Sequence, residues 1–169
     1  MKRILTFFLM VLLFSLSQAR SGWAAEQFVP NTLLDTVAGE SLRLSDFKGK
    51  ILVVNFWATW CPPCIDEIPE LVRFQKEFAS SGVQVIGIDF MEKPNRKRLA
   101  GFKKKYGMNY PVVFGKSSDM QKLAKAMGGV FGLPVTKFVD RKGKIINSHV
   151  GGVTIHQLRA YMHTLLSEK

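Results

Sequence analysis

Two cysteines stand three positions apart in "NFWATWCPPCIDEIPEL", residues 55–71, and the chain has no others. Such a pair can serve as a structural bridge, as part of a metal or haem site, or in reversible dithiol–disulfide exchange. As a bridge, Cys61–Cys64 closes a loop of about four residues, for which chain entropy gives roughly 2 kcal/mol against about 3 for a 15-residue loop. A zinc centre needs four ligands, and beyond the pair there are only three separated histidines, His149, His156 and His163. Haem attachment requires a histidine directly after the second cysteine, where Ile65 stands. No metal site is expected, and redox exchange is the chemistry this spacing serves best.

That chemistry needs a helix start at the pair. Pro62 fits a first helical turn, so Cys61 is expected just before the helix and Cys64 within its first turn. The unsatisfied N–H groups and the dipole of that end would stabilise a thiolate at Cys61. This thiolate would attack a substrate disulfide, and Cys64, one turn away, would then resolve the mixed disulfide. Cys64 must lose a proton for the second step, so a base is expected nearby. Glu67 lies three residues on and shares the helix face, a solvated helix glutamate being the alternative reading. Asn55 interrupts the apolar run behind the pair with an amide, either to hydrogen-bond the site or as a satisfied packing residue. Downstream, "GLPVT" puts Pro134 at a strand start, where a cis proline would hold a turn and leave backbone groups free for an extended substrate. The Cys61–Cys64 disulfide is then the redox group, and no cofactor is expected.

The elements that must position these groups follow from periodicity. "LLDTVAGESLRL" (33–44) reads as a hairpin turning near Gly39, and Ser45 is the expected N-cap of one helical turn ended by Gly49. "ILVVNFW" is a continuous apolar, β-branched run, the pattern of a strand covered on both faces. The helix from Pro62 carries Ile65, Ile68, Leu71, Val72 and Phe78 at helical spacing until "SSG" stops it. Further strands are expected at "VQVIGIDF" and "YPVVF", with helices at "NRKRLAGFKKKYG" and "SDMQKLAKAMGG". A hairpin turning at residues 141–143 and a final helix, "TIHQLRAYMHTLLS", complete the series. Strands alternating with helices predict one α/β domain with helices on both faces of its sheet.

Residues 1–24 are read apart from that domain, which spans 25–169. Lys2 and Arg3 precede an apolar run from Ile4 to Leu16 and then small residues, the pattern of a secretory leader cut after Ala19 or Ala24. Left uncut, it would be a membrane tether. Export would place the domain in an oxidising compartment, the periplasm or the outer face of the cytoplasmic membrane, where thiols can pair. The formal charge of +11 would suit acidic partners or anionic headgroups, but it reads mostly as a solvated face. Nucleic acid is not an expected partner, because the basic residues are not interleaved with an aromatic RNA-binding motif.

With these residues assembled, the chain closely resembles the TlpA-like and ResA-like branch of the thioredoxin superfamily, exported or membrane-tethered thiol–disulfide reductases. The resemblance runs from "VPNTLLDTVAGESLRLSDFKGK" through "ILVVNFWATWCPPCIDEIPEL" to "FGLPVTKFVDRKGKI". It implies a thioredoxin fold: a mixed central sheet flanked by helices, with an N-terminal β-hairpin extension and an extra inserted helix. It also implies that Cys61 is the nucleophile, Cys64 the resolving cysteine, Glu67 the acidic residue beside them and Pro134 the facing cis proline. Substrate would lie against Trp60, Pro62, Pro63, Leu133 and Pro134. The implied partners are exported cysteine-containing proteins, apocytochrome c among them, and a membrane thiol donor of the DsbD or CcdA type. Where cytoplasmic thioredoxins carry a buried aspartate this chain has Asn55, which throws proton handling onto Glu67 or water. The rival readings are a general disulfide oxidase or isomerase and a copper- or haem-carrying module. A thiol peroxidase needs proline seven and threonine or serine three residues before its cysteine, where Val54 and Ala58 stand.

Overall fold

The computed structural model describes residues 26–167; the expected leader, residues 1–24, lies outside them. A hairpin of β1 (Leu34–Thr36) and β2 (Ser41–Leu42) leads through a 3-10 turn (Leu44–Phe47) into β3 (Ile51–Trp57) and α1 (Pro62–Phe78). Then come β4 (Val83–Asp89), α2 (Arg96–Lys105), β5 (Val112–Phe114) and α3 (Ser117–Ala126), followed by β6 (Val135–Val139), β7 (Ile145–Val150) and α4 (Ile155–Ser167). The seven strands form one mixed sheet in the order β2-β1-β5-β4-β3-β6-β7. Its centre, β5-β4-β3, is parallel, and the flanking strands run antiparallel. This is the thioredoxin-like α/β fold, with the N-terminal hairpin on one sheet edge.

Successive residues of β3 serve opposite faces, so its uninterrupted apolar run feeds two cores. Ile51, Val53 and Trp57 pack with Ile68, Leu71 and Phe74 of α1, Leu99 of α2 and Leu158 and Met162 of α4. Leu52, Val54 and Phe56 pack with Met120 and Leu123 of α3 and with Leu44. That second core explains one departure from expectation. The 3-10 turn begins at Leu44, so that its side chain is buried, and its N-cap is therefore Arg43, not Ser45. Asp46 accepts from the Arg43 N–H at 2.9 Å, while the Ser45 hydroxyl donates to Asn31 Oδ1 at 2.8 Å. On α1 the buried face is also more polar than its apolar spacing suggests. Glu67 and Gln75 are buried, whereas Ile65, Val72 and Phe78 are only half-buried.

Gly87, in the middle of β4, faces the core that holds Trp57 and Tyr110. A Cβ there would stand 2.9 Å from Trp57 Nε1 and 3.3 Å from the Tyr110 ring, both large and fixed. Gly87→Ala is therefore expected to destabilise the protein by roughly 1–3 kcal/mol through overpacking, read as a lower urea midpoint at unchanged slope.

Candidate active site

The pair sits where an α/β sheet offers its crevice, beyond the carboxyl ends of the central parallel strands. After β3 the chain turns through Ala58, Thr59 and Trp60, closed by the Cys61 N–H donating to the Ala58 carbonyl at 3.2 Å. Cys61 is the N-cap of α1 in an extended conformation, and its carbonyl accepts from the Ile65 N–H at 3.1 Å. Pro62 and Pro63 occupy the first two helical positions and have no N–H to give. Of the donors a helix start normally leaves free, only the Cys64 N–H remains. The two cysteines are joined as a disulfide, with Cα atoms 5.3 Å apart. Cys61 keeps 3% of its surface exposed and Cys64 none.

Glu67 lies one turn beyond Cys64 on the buried face, which removes the solvated reading of that residue. Asn55 Nδ2 donates to Glu67 Oε1 at 2.7 Å and to Thr136 Oγ1 at 3.1 Å. The backbone N–H of Val153, in the loop before α4, donates to Glu67 Oε2 at 3.0 Å. Burial disfavours the charged carboxylate and pushes the Glu67 pKa up to about 7, with the bonds from Asn55 and Val153 pulling the other way. A carboxyl group that gains and loses a proton near neutrality is thus held beside Cys64. Tyr110 extends the polar patch: its Oη is buried without a hydrogen-bond partner among the described residues. Burial and the nearby Glu67 charge hold its phenol above the ordinary range.

The residues expected on the substrate side come from two segments. The Leu133–Pro134 peptide bond is cis. Pairing of Val135 with Phe56 sets Pro134 beside the end of β3, and its carbonyl accepts from the Gly151 N–H at 2.9 Å. Trp60 is 56% exposed and Phe131 98%, Pro62 and Pro63 are exposed, and Leu133 is half-buried. Thr136 and the Val153 N–H were not legible as site groups. The first reads as an ordinary strand threonine, and the second is a backbone group 86 residues from its partner. Phe131 carried a signal in standing three residues before Pro134.

Residues 25–148 match the AhpC/TSA family. The thiol-disulfide oxidoreductase ResA of Bacillus subtilis (strain 168) is 35% identical over 136 residues, 80% of this chain and 73% of that protein. The thioredoxin-like protein YneN of the same organism is 34% identical over 139 residues, 82% of this chain and 78% of its own length. Among solved structures, the thiol:disulfide interchange protein of the thioredoxin family from Chlorobium tepidum TLS superposes with a TM-score of 0.74 at 31% identity. That match covers 85% of this chain and 99% of the other. Two cysteines bonded at a helix start, on this sheet and in this company, place the chain in the AhpC/TSA family as a thioredoxin-fold thiol–disulfide oxidoreductase similar to ResA.

Proposed function

We propose that the protein is an exported reductase that keeps cysteines of other exported proteins reduced, drawing electrons from a membrane thiol donor of the DsbD or CcdA type. The observation that carries this is the helix start. Stabilising the nucleophile's thiolate favours the reduced form and makes a pair oxidising. Here two prolines remove the N–H groups that would do so, and no histidine lies between the cysteines. In the reaction, the Cys61 thiolate forms a bond to one substrate sulfur and expels the other as a thiolate. Cys64, giving its proton to Glu67, then attacks Cys61 Sγ, and the substrate leaves as a dithiol with the two electrons that the Cys61–Cys64 pair has lost. Asn55 holds the Glu67 carboxyl for that transfer, while Trp60, Pro62, Pro63, Leu133 and Pro134 receive the substrate backbone. Apocytochrome c, whose haem-binding cysteines must be reduced before ligation, fits this scheme as a substrate.

Membership of AhpC/TSA raises thiol peroxidase chemistry, but Val54 and Ala58 occupy the positions of its proline and hydroxyl residue. Thiol trapping in cells checks the direction of electron flow. Cys61 and Cys64 are expected mostly reduced in the envelope and oxidised when the membrane donor is deleted. A pair found fully oxidised in wild-type cells would overturn the reductase in favour of an oxidase.

A further inference from the structure

A second pair of carboxyl groups lies on the other side of the turn that carries Cys61. Asp89 ends β4 and is 3% exposed, and Glu92, in the loop that follows, has a side chain 5% exposed. The two carboxyl groups lie near enough to act on each other's proton affinity, and burial of two like charges side by side favours a single proton held between them. No N–H or hydroxyl group among the described residues donates to the buried Oδ1 of Asp89. Glu92 is the opposite case. Its Oε1 accepts from the Thr59 N–H at 2.9 Å, its Oε2 from the Thr59 hydroxyl at 2.8 Å, and the Arg98 guanidinium of α2 closes on it as well. The Ser117 hydroxyl at the start of α3 donates to its carbonyl at 3.4 Å. Between the two acids Met91 is held at φ 61°, in the left-handed region a non-glycine residue rarely adopts, with its side chain outside. The loop is thus turned so that both acids point inward. Thr59 is two residues before Cys61, in the turn closed by the Cys61 N–H.

We propose that Asp89 and Glu92 share a single proton and act together as positioning residues: neutral Asp89 donates to the Glu92 carboxylate, which clamps Thr59 and thereby fixes the turn that presents Trp60 and Cys61. This rests on Cys61 being the attacking sulfur. Burial and the adjacent Glu92 charge push Asp89 up to about 9, and the donors from Thr59 and Arg98 hold Glu92 low, so the proton belongs to Asp89 at neutral pH. The charged group that acts on the pair is Arg98 from α2, while Lys93, in the same loop, is exposed. Glu67 from α1 and Tyr110, before β5, lie on the same sheet face. Stripping the shared proton in alkaline solution leaves two buried carboxylates in contact with one guanidinium for both, and the clamp on Thr59 loosens.

The test is the single-turnover reaction of the reduced protein with a small aromatic disulfide between pH 6 and pH 10, each rate divided by the thiolate fraction of Cys61. One charge-assisted hydrogen bond corresponds to about tenfold in rate. Wild type is expected to lose about tenfold of this corrected rate between pH 8 and pH 10. Asp89→Asn keeps a donor at every pH, so it is expected to hold within about threefold of wild type at pH 7 and to abolish the alkaline fall. Asp89→Leu, with no donor, is expected to fall about tenfold at pH 7. A wild-type rate that does not fall, or an Asp89→Asn profile that follows wild type through the alkaline limb, overturns the proposal, and either readout survives if Asp89→Leu does not fold. Cys61→Ser on the same probe separates the two levels: a reaction that persists there sinks the nucleophile assignment itself.

Discussion

Cys64→Ser will accumulate mixed disulfides with the protein's natural partners, and Cys61→Ser will accumulate few. Cys61 is the N-cap, at the end of a turn whose neighbours Trp60, Pro62 and Pro63 are exposed, and it retains some accessible surface. Cys64 is wholly buried one turn inward, beside Glu67. An incoming disulfide therefore meets the Cys61 sulfur, and only Cys64 can release the product, by an attack from within the protein. Removing Cys64 leaves the first bond formed and the second step absent, so turnover falls to background while trapped species build up. Non-reducing separation followed by mass spectrometry reads the outcome and names the substrates. Should Cys61→Ser prove the better trap, the order of attack is reversed. Should neither variant trap anything while reductase activity survives in both, the exchange mechanism is wrong.

The second large effect is expected at Asn55. Its amide donates to Glu67 at 2.7 Å, and an aspartate there would set two carboxyl groups against each other in a buried site. At pH 5 they can share one proton. At pH 8 that proton must either stay, at the expense of a strongly raised pKa, or leave two charges in contact. A carboxyl whose folded pKa is raised binds more protons folded than unfolded, so stability is intact below the unfolded pKa and is lost as pH rises through the folded one. Wild type already has this slope from Glu67, between its ordinary 4.5 and about 7. Asn55→Asp extends it upward, and two further pKa units correspond to about 3 kcal/mol. Urea unfolding at pH 5 and pH 8 should therefore show a small difference from wild type at the first and about 3 kcal/mol of destabilisation at the second. Adding Glu67→Gln should restore most of the pH 8 loss, because its amide can donate where the second carboxylate stood. A destabilisation that is the same at both pH values would mean that Asn55 is only a packing residue.

The parts of this molecule that sequence alone determined are those whose physics is local. Two prolines after Cys61 start a helix because their fixed φ suits a first turn, and β-branched runs such as residues 51–54 extend because such side chains pack on a pleated surface. Cys61 and Cys64 are one helical turn apart by spacing alone, so their bond was readable before any fold was known. The turn at residues 141–143, ended by Gly143, marked the last hairpin in the same way. What the sequence could not decide is where a charge ends up. Glu67 and Asp66 are neighbours of nearly the same chemistry, and from the residues alone Glu67 stood open between a base beside Cys64 and a solvated helix glutamate. Only the packing of α1 on β3 and of the Val153 loop on both buries one and exposes the other, and desolvation then gives Glu67 its neutral-range proton. Asp89, at the end of an apolar strand, carries no local signal of a role. Its contact with Glu92 and through it with Thr59 depends on the parallel pairing of β4 with β3, which brings Trp57 opposite Asp89. Proton affinity depends on burial and on neighbours distant in sequence, and those are set only when the sheet and its helices close on one another.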